Sequence, residues 1–127
     1  MQCPCQSEKE YENCCEILHL GKKQAENAAV LMRSRYAAYV LKKIDYIVAT
    51  TLPSQQKKLD RAQMEQWAEE TTWTGLNIIH FDPKIAKNRA MVEFEATFTT
   101  AHQAGTHHER SLFIYHQDRW YFIDPNI

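Results

Sequence analysis

Four cysteines confined to the first fifteen residues constrain this chain more than any other feature. They form the pattern C-x-C-x8-C-C, and no cysteine occurs after position 15. Zn²⁺ takes four ligands in a tetrahedron and favours thiolate sulfur. A close pair, a loop and a second close pair allow a short segment to surround one ion, so the pattern indicates a metal site. The four cysteines are Cys3, Cys5, Cys14 and Cys15.

Two disulfides or a redox-active pair are the alternatives for these cysteines. The N-terminus lacks the basic and apolar regions of a secretory signal, so we expect a cytoplasmic location, where disulfides are rare. A bridge between adjacent Cys14 and Cys15 would be strained, and no C-x-x-C motif is present. The missing secretory signal, the strained vicinal pair and the absent C-x-x-C motif favour a metal site over disulfides or a redox-active pair. Four thiolates leave no open coordination position, so the site is expected to be structural and not catalytic.

Composition excludes several classes of partner. The 127 residues carry 15 Lys and Arg against 16 Asp and Glu, a net charge of −1, which argues against nucleic-acid binding driven by bulk charge. Lys9, Lys22 and Lys23 near the cysteines are offset by several glutamates. No apolar run approaches the length of a membrane span. We therefore expect neither a nucleic-acid partner nor a membrane span.

The first half of the chain predicts helices. Ser7 and Glu10 are spaced as a capping box, which predicts a short helix with Cys14 and Cys15 at its far end. In QAENAAVLMRSRYAAYVLKK, residues 24–43, apolar side chains recur every three or four positions, as on a long amphipathic helix with Ser34 pointing away from the apolar face.

The segments that follow the long helix are also helical. IDYIVATTLP predicts a shorter helix or turn that stops before Pro53. Ser54, and Asp60 with Gln63 three positions on, are typical helix starts.

The second half of the chain has the two-residue period of β-strands. In AMVEFEATFTT, Val92, Phe94 and Ala96 share one face. TGLNIIHF, HHERSLFIYH and RWYFID also predict strands, the first ending at Asp82-Pro83. Turn residues near Ala104-Gly105 and Gln117-Asp118 predict that the last three strands form an antiparallel meander.

Helices followed by antiparallel strands predict an α+β fold, with a long helix packed on a curved sheet. A boundary near Gly21 would divide the chain into a cysteine segment, residues 1–20, and an α+β domain, residues 21–127.

The cysteine segment CPCQSEKEYENCC resembles the SEC-C motif, the zinc-binding tail of the preprotein-translocase motor ATPase. The motif reads C-x-C-G-S-G-K-K-Y-x-x-C followed by His or Cys. Gln6 and Glu8 replace its two glycines, and if those positions need positive φ, each substitution costs roughly a kcal/mol. The resemblance implies a structural zinc ion with ligands Cys3, Cys5, Cys14 and Cys15.

Further stretches, collinear over nearly the whole chain, resemble the YchJ family of bacterial proteins. They are LMRSRYAAYV, DYIVAT, WTGLNI, VEF, HERSLF and RWYFID. This resemblance implies a SEC-C motif joined to an NTF2-like (cystatin-like) domain, a cone of helices on a curved antiparallel sheet with a cavity between them. Thr51-Leu52 stand where the family usually reads Trp-His, so no role of that pair transfers.

Polar residues on the predicted helix and strands are the candidates for a site in the cavity. Arg33 or Arg35 would bind an anionic or polar group. Alternatively, a buried ion pair of Arg35 with Glu109 or Glu93 pins helix to sheet without any ligand. The candidate pocket residues are Arg33, Arg35, Tyr36, Tyr39, Trp73, Glu93, Glu109 and Ser111.

Two function classes follow. The favoured one is a zinc-binding NTF2-like module that binds a protein partner through its zinc segment, by analogy with the translocase motif, or a small ligand in its cavity, and that forms a homodimer through the open sheet face. The alternative is a small cofactor-independent hydrolase or isomerase using Glu109 with His108 or Asp124. Adjacent His108 and Glu109 point to opposite faces of a strand, which disfavours the first of those pairs. No catalytic residue is assigned.

Overall fold

Five α-helices precede a four-stranded antiparallel sheet in the computed structural model, which describes residues 1–127. The strands pair in chain order, which confirms the α+β prediction and extends the meander to all four strands. None of the helices is long and apolar enough to cross a bilayer. The bounds are α1 Cys15–His19, α2 Ala28–Val40, α3 Ile44–Ala49, α4 Pro53–Gln56, α5 Arg61–Glu70, β1 Thr72–Ala86, β2 Arg89–Thr99, β3 Ala104–His116 and β4 Arg119–Ile123.

Helix α2 is the central element of the fold. The Asn27 side chain caps its start by accepting a hydrogen bond from the Val30 backbone N–H, at 2.9 Å. Its Tyr36 packs on the sheet, Ala37 packs on the cysteine segment, and Ala38 packs on α3 and α5. The helix is therefore covered on three sides.

Ser34 points away from the apolar stripe that packs on the sheet, as predicted, but the face on which it lies is also buried. Ser34 is 0% exposed, and its hydroxyl donates to the Leu31 carbonyl and contacts the Tyr46 hydroxyl. A single-stripe pattern assumes one buried face, whereas the cysteine segment and α3 cover the opposite face of this helix.

The concave face of the sheet supplies the main core. Val92, Phe94 and Ala96 of β2 lie beside Phe113 of β3, and all four pack under α2. The predicted alternation along β2 is thus confirmed. At this face each apolar side chain that leaves water contributes about 1.5–3 kcal/mol to stability.

Of the predicted turns and strand ends, one turn is confirmed and two boundaries are wrong. Gln117 and Asp118 have φ of 49° and 68° and form the expected two-residue turn. Strand β1 does not end at Asp82-Pro83, since it continues to Ala86 and pairs there with Arg89. Gly105 lies inside β3 opposite Phe98, because the actual turn is residues 100–103.

The helix starts were predicted in part. The Asp60 side chain accepts a hydrogen bond from the Gln63 backbone N–H at 3.1 Å, so this cap is confirmed. Ser54 is not a cap, because α4 already begins at Pro53. Proline suits the first helical position, where its missing N–H would have no intrahelical partner.

Replacing Phe113 by alanine should test the assignment of the core. Phe113 is 1% exposed, so Phe113→Ala should lower the free energy of unfolding by about 3–5 kcal/mol in denaturant titrations followed by circular dichroism. The neighbouring Leu112 is 43% exposed on the opposite face, so Leu112→Ala should change it by only about 0.5 kcal/mol. Equal losses in the two variants would contradict this core.

Candidate functional site

The four cysteine side chains converge at the N-terminus. All four Sγ atoms lie within 4.8 Å of one another, with 3.6 Å between Cys5 and Cys14 and 3.9 Å between Cys14 and Cys15. All four are free thiols. A tetrahedron with metal–sulfur bonds of about 2.3 Å has sulfur–sulfur edges of about 3.8 Å. The donor set therefore fits one tetrahedral metal ion.

The loop between the two cysteine pairs depends on left-handed backbone. Gln6 and Glu8, at the positions of the motif's glycines, have φ of 66° and 70°. This conformation turns the chain back on itself, so that the Cys3 backbone N–H donates to the Lys9 carbonyl at 2.8 Å. The expected need for positive φ at both positions is confirmed.

The predicted helix from Ser7 was wrong. The Ser7 hydroxyl accepts a hydrogen bond from the Lys9 backbone N–H, at 3.3 Å, and its Oγ lies 3.3 Å from Cys14 Sγ. A 3-10 turn, Tyr11–Asn13, follows, and α1 begins only at Cys15. The second cysteine pair therefore stands at the start of a helix and not at its far end.

Thiol acidity shows why a cation suits this cluster. A hydrogen bond from Cys15, and then one from Ser7, lowers the pKa of Cys5 to about 4. Burial raises the pKa of Cys3 to about 11, and the hydrogen bond with Cys5 raises the pKa of Cys15. One thiolate thus opposes ionisation of its neighbours. A divalent metal ion is what stabilises several thiolates at this distance.

A half-buried histidine joins the cysteine segment to α2. His19 Nε2 lies 2.8 Å from the Ser34 carbonyl, and its Nδ1 lies 2.6 Å from the Tyr11 hydroxyl. A carbonyl only accepts, so Nε2–H donates and Nδ1 accepts from Tyr11. Burial lowers the pKa of His19, which favours this neutral form. His19 was not predicted, since no spacing rule separates it from the other histidines.

Two of the predicted pocket residues lie elsewhere. The Arg33 guanidinium donates to the Cys5 carbonyl at 2.8 Å, because two positions along a helix turn a side chain about 200° away from Arg35. Glu93 lies on the outer face of the sheet and contacts His108 at 2.7 Å, as its place between Val92 and Phe94 requires.

The other predicted residues line a cavity of about 370 Å³ between α2 and the sheet. Trp67 of α5 and Asp124, just after β4, also line it, as does His107. Asp124 had been considered only as an acid–base partner of Glu109, whereas Trp67 and His107 were not predicted, because only the tertiary fold brings these residues to the opening. The predicted residues that line it are Arg35, Tyr36, Tyr39, Trp73, Glu109 and Ser111.

Arg35 does not form the ion pair that the sequence suggested. Its Nη1 donates to the Ile47 carbonyl at 2.9 Å and to the Thr50 hydroxyl at 2.7 Å, and its guanidinium lies 4.4 Å from the centroid of the Phe122 ring. No carboxylate lies within 4.0 Å of it. Glu93 is on the outer face, and Glu109 instead accepts a hydrogen bond from Ser111.

The guanidinium of Arg35 is therefore buried but incompletely bonded. The residue is 6% exposed, and its Nε and Nη2 atoms donate to no protein atom. Burial lowers the pKa of Arg35, yet arginine stays protonated in proteins. The cavity wall thus carries a fixed positive charge with donors to spare.

The histidine that lies beside Glu109 is not the one that was considered for an acid–base pair. His108 lies with Glu93 on the outer face, so it does not pair with Glu109. His107 and Glu109 are two residues apart on one face, and His107 Nε2 lies 3.6 Å from Glu109 Oε1. Both line the cavity, so His107 and not His108 is the histidine beside this carboxylate.

Clustered cysteines joined to a helix-and-sheet cone define a SEC-C protein with an NTF2-like domain. The family model for the SEC-C motif matches residues 2–17, and the one described as "YchJ, middle NTF2-like domain" matches residues 27–125. The chain belongs to the YchJ family, as its sequence resemblance predicted.

Relatives agree with this assignment over the whole chain. A UPF0225 protein of Actinobacillus succinogenes is 47% identical over 125 residues, covering 98% of this chain and 81% of its own. A UPF0225 protein of Haemophilus influenzae is 48% identical over 125 residues, 98% of this chain and 77% of its own.

Two solved structures have the same fold. The crystal structure of a SEC-C motif containing protein from Psychrobacter arcticus superimposes with a TM-score of 0.91 at 42% identity, covering 98% of this chain and 81% of that one. The solution structure of RPA3114, a SEC-C motif containing protein from Rhodopseudomonas palustris, gives 0.88 at 40% identity, covering 98% and 96%.

Replacing His19 should measure the link between segment and helix. His19→Phe removes two hydrogen bonds and should lower the free energy of unfolding by about 2 kcal/mol at pH 7.5. The folded-state pKa of His19 is lowered from 6.5, so its contribution is complete above about pH 6.5 and is lost as pH falls below that value. The difference from wild type should therefore shrink at pH 5.5.

The exposed His102 provides the control for this experiment. His102→Phe should leave the free energy of unfolding within about 0.5 kcal/mol of wild type at both pH values. A His19→Phe difference that stays constant from pH 7.5 to 5.5 would contradict the neutral, half-buried imidazole.

Proposed function

We propose that this chain is a small-ligand-binding protein. Its NTF2-like domain takes a ligand with an anionic group in the cavity beside Arg35, and its SEC-C segment is held folded by a structural zinc ion. One observation carries the ligand site: a buried guanidinium without a carboxylate partner borders a cavity of about 370 Å³. That volume lies in the usual range for small-molecule sites, about 300–1,000 Å³.

The chemistry of arginine defines the ligand group. A buried charge without a partner is costly, so a ligand that supplies the opposite charge gains more here than at the surface. Nε and Nη2 of a guanidinium form a fork that binds two oxygens of a carboxylate or phosphate. Tyr36, Tyr39 and Trp73 then offer apolar wall to the body of the ligand, and Ser111 and Glu109 offer polar contacts.

The zinc assignment rests on the donor set. Cys3, Cys5, Cys14 and Cys15 would hold the ion, whose closed thiolate sphere contributes folding energy and no catalysis. We further propose residues 1–20 as the zinc-binding unit and residues 21–127 as the ligand-binding unit, in a protein of the reducing cytoplasm where such thiols stay available. A protein partner on the zinc segment and a homodimer complete the proposal.

An enzyme is the second candidate, and one contact favours it. His107 and Glu109 lie 3.6 Å apart on the wall of the cavity that Arg35 also lines. A histidine oriented by a carboxylate is a common general base.

Metal analysis tests the zinc site. Protein purified without chelator should hold one zinc per chain by atomic emission, and Cys14→Ser should lower that content below half an equivalent while reducing thermal stability. The exposed neighbour Glu12 gives the control, since Glu12→Ser should keep the full equivalent. Wild-type protein with less than half an equivalent of zinc, and four thiols titrating freely, would refute the assignment.

Arg35→Met tests the ligand site. The probe is 5,5-dimethylhexanoate, an apolar anion, with 5,5-dimethylhexanol as its neutral analogue, and affinity is measured by calorimetry. The anion should bind wild type and bind at least about tenfold more weakly to Arg35→Met, a loss of about 1.4 kcal/mol. Burying methionine in place of an incompletely bonded cation should preserve folding, which denaturant titration checks.

Arg110→Met serves as the matched control, because Arg110 is exposed on the outer face of the sheet. It should bind the anion as wild type does. The proposed site is wrong if wild type prefers the alcohol, or if Arg35→Met, correctly folded, binds the anion unchanged.

A further inference from the structure

We propose that the ligand of this cavity is a zwitterion, with its anionic group on Arg35 and an organic ammonium group in the aromatic corner of the cavity. The aromatic corner consists of Tyr36, Tyr39, Trp67 and Trp73. The proposal rests on the proposed function and adds the chemical class of the ligand. Three observations carry it: the arrangement of the rings, the balance of charge along the wall, and the distance between the two ends.

The rings of the aromatic corner meet at steep angles. Tyr39 and Trp67 lie 6.0 Å apart between centroids at 90°, and Trp67 and Trp73 lie 5.4 Å apart at 67°. Tyr36 meets Trp73 at 64° and 6.2 Å. The rings therefore pack edge to face on one another, and all four residues also line the cavity. The negative face of each ring attracts an ammonium group, most strongly a tryptophan face.

Charge along the cavity wall disfavours a simple anion. Arg35 supplies one positive charge, whereas Glu109 and Asp124 supply two carboxylates to the same cavity. An anion that reaches Arg35 also meets both carboxylates and is repelled by them. A ligand that also carries an ammonium group is attracted by both carboxylates.

The two ends of the cavity are about one helical turn apart along α2. Arg35 lies over Phe122 of β4, whereas Tyr39, four positions further along the helix, contacts Trp67 and Trp73. Four residues rise about 6 Å along an α-helix. A ligand with a few methylene groups between its charges can therefore reach both ends.

A pair of isosteric probes isolates the contribution of the ammonium group. The zwitterion 4-(trimethylammonio)butanoate and the anion 5,5-dimethylhexanoate differ only in nitrogen for carbon at the quaternary centre. We expect the zwitterion to bind wild type at least about tenfold more tightly in calorimetry. Homologues with one to five methylene groups should show an optimum, and binding should shift the indole resonance of Trp73, whose buried Nε1 has no hydrogen-bond partner.

Variants locate the ammonium group. Trp67 is 44% exposed, so Trp67→Leu should preserve folding, remove most of the advantage of the zwitterion and leave binding of the plain anion nearly unchanged. Glu109→Gln should also reduce the advantage. Trp120, which packs on Tyr115 away from the cavity, gives the control Trp120→Leu, which should behave as wild type.

The outcomes separate this inference from the proposed function. If the two probes bind wild type equally, or the anion binds more tightly, the zwitterion is excluded and the Arg35 site stands. An advantage that survives in both Trp67→Leu and Glu109→Gln excludes the aromatic corner. If neither probe binds wild type at millimolar concentration, both the inference and the Arg35 site are overturned.

Discussion

The hydrogen bond between His19 and the Ser34 carbonyl is the contact on which the rest of the architecture depends. It joins the cysteine segment to the helix at the centre of the domain. The Arg33 guanidinium, bonded to the Cys5 carbonyl, gives the same junction a second anchor. Because α2 is covered by the sheet, the cysteine segment and α3, its position is set from three sides. The cysteine segment therefore acts as part of the core, although it is separate in sequence.

That fixed helix explains how an arginine can be held buried without a counter-ion. Ser34, bonded towards the Tyr46 hydroxyl, and Arg35, bonded to the Ile47 carbonyl, are consecutive on α2 and both hold α3 in place. The hydrogen bond from Arg35 to the Ile47 carbonyl and its cation–π contact with the Phe122 ring offset part of the free-energy cost of burying the charge. Its Nε and Nη2 atoms keep no partner within the protein, and Arg35 lines the cavity, which is why the proposed ligand is placed there.

Much of the local structure was predictable from the sequence. Alternation along β2, the Asp60 cap and the Gln117-Asp118 turn depend on residues close in the chain, and they were predicted correctly. The cysteine pattern similarly predicted the cluster. Features that depend on contacts with distant parts of the chain were not predicted. Ser34 is buried because the cysteine segment and α3 cover it. Arg35 lacks its expected carboxylate because Glu109 bonds to Ser111. Trp67 joins the cavity only through the path of α5.

The left-handed backbone at Gln6 and Glu8 has a consequence for metal exchange. Side chains in this conformation cost roughly 1 kcal/mol each relative to the glycines of the motif. If the loop takes this conformation only when it holds the proposed ion, the total of about 2 kcal/mol corresponds to roughly thirtyfold weaker binding. The proposed ion would then leave this segment more readily than it leaves glycine-bearing versions of the motif. Metal supply in the cell, as well as chain stability, would in that case decide how much of the protein is folded at its N-terminus.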